Sequence, residues 1–368
     1  MAFVGKAFSF RDYRDVNGRE CGDVKTLTIK KRALKVGYTN CMALSVQQRR
    51  CPVLSTLIRT FAFRSICFSP SAMNKCAFLA ALVGSFVWVT APAQAGPVTE
   101  KLLKGEALIL AHREASLPFS FVDESKQPVG YAVDLCMKVA EIVRQQLGLK
   151  QLPVRYKLVN STTRIETIRS HQADLECGST TNTPERRQLV AFTVPHYIAS
   201  ARILVRADSS AQDMFDFSGK RLVGTRNTTG LARAKQANQQ QALRINILEV
   251  VDDPKGVEMV EKKEADGFIM DDIVLQALLA TRPDPSQLKV VGKPLTVEPL
   301  AIMLPKDDPE FKKLVDEAMK QLIRTREAHA LYHQWFTQPK LPGRVSLAWP
   351  MPAMLREFWK HPSDMVPF

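Results

Sequence analysis

Between Ala107 and Phe336, short apolar runs of strand length alternate with longer stretches whose apolar residues recur at helical spacing. That alternation predicts an α/β fold with largely parallel sheets. Ala107–Ala111 reads as the first strand. Gly130-Tyr131 opens a helix that runs to Leu147 and stops at Gly148, and Val154–Val159 and Leu175–Gly178 are further strands around a short helix at Ile165–Ser170. Ile203–Val205 reads as a strand leaving this unit. A second unit then repeats the logic, with strands at Leu222–Gly224, Ile245–Val251, Gly267–Met270 and Val290-Val291. Its helices fall at Leu231–Leu243, at Pro254–Lys263 with a cap expected at Asp253, and at Ile273–Ala280. Pro299–Leu304 is a last strand, followed by amphipathic helices over Pro309–Ile323 and Glu327–Phe336. The expected division is a first lobe over residues 96–205, a second over 206–298 and a return to the first over 299–336. A proline- and tryptophan-rich tail, 337–368, is expected to pack back along the surface. Two lobes joined by more than one crossing strand leave a cleft lined by strand ends.

Ligands of open α/β sheets bind beyond the carboxyl ends of the strands. Three successive strand-to-helix junctions here each deliver an arginine: Arg113, Arg164 and Arg186. The third lies in Asp174–Arg187, where a strand runs through Gly178 into the hydroxyls of Ser179, Thr180 and Thr181. A helix start is expected there, with Thr183 as N-cap and Pro184 at the first helical position. Hydroxyls, backbone N–H groups, a helix dipole and a guanidinium together favour a small carboxylate. Asn160-Ser161-Thr162-Thr163 precedes Arg164 in the same manner, and Thr228-Thr229 opens a helix in the second unit. Asp271-Asp272 places acid at one strand end, read as one ammonium-binding carboxylate, since adjacent residues point different ways.

The N-terminus carries a different signal. Met73-Asn74-Lys75, the uncharged and mostly apolar Cys76–Val89 and the small-residue site Ala93-Gln94-Ala95 form a secretory-signal pattern over residues 73–95. The run is shorter than the roughly 20 apolar residues of a membrane span. Residues 1–72 lack sustained periodicity and are expected to be disordered or to derive from a start codon placed too far upstream. Of the 51 basic and 37 acidic residues, 14 and 4 precede Gly96, so the formal charge of +14 falls to about +4 beyond it. The remaining charges are interspersed, which argues against a nucleic-acid partner. Cys136 and Cys177 alone remain beyond the signal, and two buried free thiols are expected.

Motifs for phosphate, dinucleotide or zinc binding and for a nucleophilic serine are missing from the sequence after Gly96. His329 and His333 stand four apart on a helix without an evident third ligand, so a packing role is expected. No metal, cofactor or catalytic residue is predicted.

The combination His112-Arg113-Glu114-x-Ser116-x-Pro118-Phe119-Ser120, Ser161-x-x-Arg164-Ile165, Glu176-Cys177-Gly178-Ser179-Thr180-Thr181-Asn182, Glu185-Arg186, Thr228-Thr229 and Met270-Asp271-Asp272 resembles the periplasmic amino-acid-binding proteins of ABC importers, in particular their glutamate/aspartate-binding branch. The resemblance implies a two-lobed, type II periplasmic-binding-protein fold that closes on its ligand by a hinge. It also implies a monomer that delivers an acidic amino acid to membrane permease subunits. Arg186, Ser179 and Thr181, with Thr228 and Thr229 across the cleft, would hold the α-carboxylate. Asp271 would take the α-ammonium, and Arg113, Arg164 and Ser161 the side-chain carboxylate. Three arginines against one cleft acid suit such a ligand, because a desolvated guanidinium left unpaired costs several kcal/mol. One departure concerns Asp253, where close relatives typically carry histidine. It would repel a ligand carboxylate unless it caps its helix or pairs with an arginine, and it leaves glutamate against aspartate open. An alternative is a cleft enzyme on the same scaffold, such as a cyclohexadienyl-type dehydratase, with Asp253 as its surplus acid.

Overall fold

The computed structural model describes residues 96–366, together with the backbone of an antiparallel pair, β1 (Arg32–Val36) and β2 (Thr39–Ala43). The pair belongs to one unit of the chain and residues 96–366 to another. It occurs in a stretch where the sequence showed no strand period. The signal segment 73–95, and residues 1–72 apart from this pair, lie outside the described residues.

The first lobe is built on a five-stranded sheet in the order β7 (Val154–Leu158), β3 (Leu108–His112), β8 (Leu175–Glu176), β17 (Met303–Leu304), β9 (Ala191–Phe192). β3 runs parallel to β7 and β8, whereas the returning β17 runs antiparallel to β8 and β9. A small sheet of β4 (Ala115–Ser116), β5 (Ser120–Val122) and β6 (Pro128–Val129) follows β3. Gly130 then starts α2 (Tyr131–Gln146) with φ 137°, and a Cβ there would sit 2.3 Å from the Phe119 carbonyl oxygen, so glycine is required. α3 (Arg164–Arg169) joins β7 to β8. α7 (Pro309–Arg324) buries Phe311, Val315, Ala318, Met319, Leu322 and Ile323, one stripe at helical spacing, and packs on α2. Its cap Asp308 accepts from the Phe311 N–H and also from the Val98 N–H of α1 (Pro97–Leu103), joining two helix starts.

The second lobe has a sheet in the order β13 (Asn246–Val250), β12 (Arg221–Thr225), β14 (Gly267–Asp271), β11 (Ala201–Arg206), β15 (Leu288–Val291). Strands β12, β13 and β14 are parallel, and β11 is antiparallel to β14 and β15. Its helices are α4 (Thr229–Gln240), α5 (Asp253–Glu261) and α6 (Asp272–Ala280). β11 therefore belongs to the second lobe, and the expected boundary after residue 205 moves back. The crossing is made by β10 (Tyr197–Ala199), which pairs antiparallel with the returning β16 (Glu298–Leu300), Ile198 opposite Pro299. The single strand expected over Pro299–Leu304 is thus two short strands serving different sheets.

These two crossing strands are the hinge, and β10 is anchored by aromatic packing. Tyr197 stacks on Phe336 of α8 (Glu327–Phe336) with ring centroids 5.1 Å apart, and Tyr332 stacks on Phe336 at 4.3 Å. Such contacts add about 0.5–1.5 kcal/mol each beyond area burial. The tail closes over the same strand. Trp359, just after α9 (Ala353–Phe358), is buried and donates from its indole N–H to the Pro195 carbonyl oxygen at 2.9 Å.

Cys136 of α2 and Cys177 at the end of β8 form a disulfide, which overturns the expectation of two free thiols. The helix crosses the sheet where Cys177 points into the core, a proximity that a separation of 41 residues does not reveal. The helix expected after Pro184 is a single 3-10 turn, Arg186–Gln188. Thr183 still accepts from the Arg186 N–H, at 3.3 Å, but one turn contributes little dipole. The cap of α5 is Asp252, which accepts from the Lys255 N–H at 3.1 Å, and Asp253 is the first helical residue.

Candidate functional site

Arg113 follows β3, Arg164 heads α3 and Arg186 follows β8, so three neighbouring strand ends of the first lobe deliver guanidinium groups to the face opposite the second lobe. Arg113 and Arg164 are buried. The lobes touch there. Arg164 Nη2 and Arg186 Nη2 both donate to the Asn227 carbonyl oxygen, at 3.3 and 2.9 Å, and Ser161 Oγ donates to the Val251 carbonyl oxygen at 3.5 Å. Thr181 Oγ1 lies 3.4 Å from Thr229 Oγ1. A cleft of about 620 Å3 lined by Thr181, Asn182, Thr229, Arg233 and Glu298 opens at the edge of this contact.

Burial first, then the charges of Arg186 and Arg113, push Arg164 down to about 9. It stays cationic at neutral pH, and an incoming anion relieves both costs. Arg113 Nη1 and Arg164 Nε are buried without a partner. Arg186 is also lowered by burial, with Glu298, Asp271 and Glu176 acting against that. Its Nη1 donates to the Thr181 carbonyl oxygen at 2.9 Å.

Facing these cations, Asp271 ends β14, buried, and its carboxyl is held well above the ordinary range by burial, then by Glu298, Asp272 and Asp253. An ammonium placed there would relieve the strain. Asp253 is buried as well. Its Oδ1 accepts from Thr225 Oγ1 at 2.7 Å, and burial raises it while Arg113 lowers it. Glu176, at the end of β8, and Glu298, at the start of β16, are buried among the same groups. The sequence reading of three arginines against one cleft acid is therefore corrected to three against four carboxyls. The available signal was an acid within the short run Leu175–Gly178 for Glu176 and an acid bordering the apolar run Pro299–Leu304 for Glu298.

A model of the bacterial extracellular solute-binding proteins, family 3, matches residues 108–338. The chain belongs to this family. It is 35% identical over 300 residues to the L-glutamate/L-aspartate-binding protein of Pseudomonas aeruginosa, covering 80% of this chain and 97% of that relative. It is 31% identical over 274 residues to the glutamate/aspartate import solute-binding protein of Escherichia coli, covering 74% and 90%. Among solved structures, an ancestral arginine-binding protein bound to arginine superposes with TM-score 0.58 at 21% identity, over 62% of this chain and 98% of that one. At that identity the likeness speaks for the fold alone, a type II periplasmic-binding-protein fold.

Of the residues singled out in the sequence, Arg113, Arg164 and Arg186 are brought together, with Ser161, Thr181 and Thr229 at the lobe contact. Ser179 is buried at the same strand end, its hydroxyl 2.8 Å from that of Ser116. Thr228 stands apart from the others in its use. Its hydroxyl donates to the Thr225 carbonyl oxygen at 2.6 Å and accepts from the Leu231 N–H at 3.3 Å, capping α4. His329 lies against Trp359 with ring centroids 4.8 Å apart, and no group of three metal-ligating side chains occurs among the described residues.

Proposed function

We propose that this chain is the periplasmic solute-binding component of an ABC importer, capturing an amino acid with an acidic side chain between its lobes and delivering it to membrane permease subunits. The observation that carries the reading is the convergence of Arg113, Arg164 and Arg186 where the lobes meet, with buried donor atoms on two of them unpartnered. The names of the Pseudomonas aeruginosa and Escherichia coli relatives support the choice of ligand. The secretory pattern at residues 73–95 supports the compartment.

In this reading Arg186, Ser179, Thr181 and Thr229 hold the α-carboxylate, with Thr228 shaping the helix start that faces it. Asp271 takes the α-ammonium, and Arg113, Arg164 and Ser161 take the distal carboxylate. The protein acts as a monomer and by binding alone. Ligand contacts from both lobes exist only when the hinge is closed, so binding shifts an open–closed equilibrium. Isothermal titration with L-glutamate, L-aspartate, L-glutamine and L-arginine tests it. Tight binding of either acid is expected, and binding of arginine with neither acid defeats the reading.

A further inference from the structure

Asp253 is the first residue of α5, and its neighbours leave its carboxyl chemically incomplete. Its carboxyl is 1% exposed, Oδ1 accepts from Thr225 Oγ1 of β12, and Oδ2 has no partner. The charged groups facing it come from every side: Arg113 beyond β3, Arg164 at the head of α3, Asp271 at the end of β14 and Asp252 beside it in the chain. Arg113 Nη1 and Arg164 Nε, also buried, have no partner either. One free acceptor and two free donors thus belong to one cluster of buried charges where the lobes meet.

A distal carboxylate entering that cluster satisfies the arginines, but it sets a second carboxylate against Asp253 Oδ2. Two carboxylates at hydrogen-bonding distance do not both remain ionised, and the stable arrangement is one proton shared between them. We propose that an acidic side chain is bound together with one proton, taken from solvent and shared between its distal carboxylate and Asp253 Oδ2, and that a terminal carboxamide fits the same place without one. The carboxamide brings its own N–H for Oδ2 and its carbonyl oxygen for the arginines. Asp253 is thereby the residue that sets side-chain preference and makes it depend on pH. The proton leaves with the ligand when the lobes open. Burial of Asp253 already favours its protonated form, against the opposing pull of Arg113 and Arg164. The inference rests on the acidic-ligand reading above and adds a proton to it.

The experiment is calorimetric titration of the whole protein with L-glutamate and L-glutamine from about pH 5 to pH 9, in two buffers of different ionisation enthalpy. Above the pH at which the empty site loses its proton, glutamate affinity is expected to fall about tenfold per pH unit, with about one proton taken up per ligand. Glutamine affinity should stay flat, with no uptake. Asp253→Asn, nearly the same in shape, carries its hydrogen permanently. It should flatten the glutamate profile and weaken glutamine at least about tenfold, because two N–H groups would then face each other. Glutamate bound with no proton uptake across the range overturns this inference alone, as does an Asp253→Asn protein that keeps the slope. If neither ligand binds at any pH, the acidic-ligand reading falls and this inference with it. The wild-type proton count does not depend on the variant folding.

Discussion

Arg164 and Arg186, from two different strand ends of the first lobe, donate to the same carbonyl oxygen of the second lobe, that of Asn227. A single neutral acceptor cannot balance two guanidinium groups, one buried and one half-buried. The arrangement is tolerated because Glu176, Asp253, Asp271 and Glu298 surround it, and it is improved by any ligand carboxylate that replaces the shared oxygen.

Removing either arginine should therefore weaken ligand binding, but with different selectivity. Arg186→Ala is expected to cost every amino-acid ligand about 2–4 kcal/mol, whereas Arg164→Ala costs the acidic ligands a similar amount and costs glutamine, whose neutral carboxamide oxygen bonds a guanidinium more weakly than a carboxylate does, distinctly less. Titration of both variants against glutamate and glutamine tests the division of roles. Equal losses across the panel would show that the two arginines serve one carboxylate.

The Cys136–Cys177 disulfide ties α2 to the end of β8, directly before the Gly178-Ser179 turn. Reduction, or Cys136→Ser with Cys177→Ser, should destabilise the fold by about 2–4 kcal/mol. Urea denaturation with and without reductant is the check, with the double variant insensitive to reductant.

His196 sets a pH dependence of stability. It is buried against Phe119 and Tyr131, ring centroids 5.8 and 5.6 Å away, and burial pushes it down to about 3. The unfolded ring titrates near pH ~6.5, so between these values the unfolded chain binds more protons and stability falls as pH falls, by up to about 1.4 kcal/mol per pH unit. The contribution is complete above pH ~6.5. His196→Phe should lose less stability than the wild type between about pH 7 and pH 4, measured by thermal melting.

Trp359 seals the hinge strand through its buried ring and its hydrogen bond to Pro195. Trp359→Ala is expected to cost about 3–5 kcal/mol, a core-like loss for a residue in a terminal tail. A thermal midpoint unchanged by the substitution would mean that the tail contributes nothing to the lobes.

Much of the architecture was legible in the chain. Strand and helix periods, the glycine before α2 and the arginines at three strand ends are local patterns, set by residues a few positions apart. The two-lobed arrangement followed from their order and from the resemblance to a known family. The tail's return to the surface was also expected from its composition, and Trp359 shows what it covers.

Tertiary structure decided the rest, for a common reason: each case turns on which distant groups share a space. Asp252 and Asp253 are both competent caps, and Asp253 is freed for the cleft because Thr225, 28 residues away, takes its carboxyl. Thr228 reads as a ligand hydroxyl until the Thr225 carbonyl and Leu231 N–H claim it. β11 has the same apolar run whichever sheet it joins, and pairing with β14 and β15 assigns it. Glu176 and Glu298 look like ordinary charges at the edges of short apolar runs, and only folding sets them among the arginines. The sequence alone determined which residues carry charge to the strand ends; the fold decided how those charges balance, because electrostatic energy depends on separation and burial, not on order along the chain.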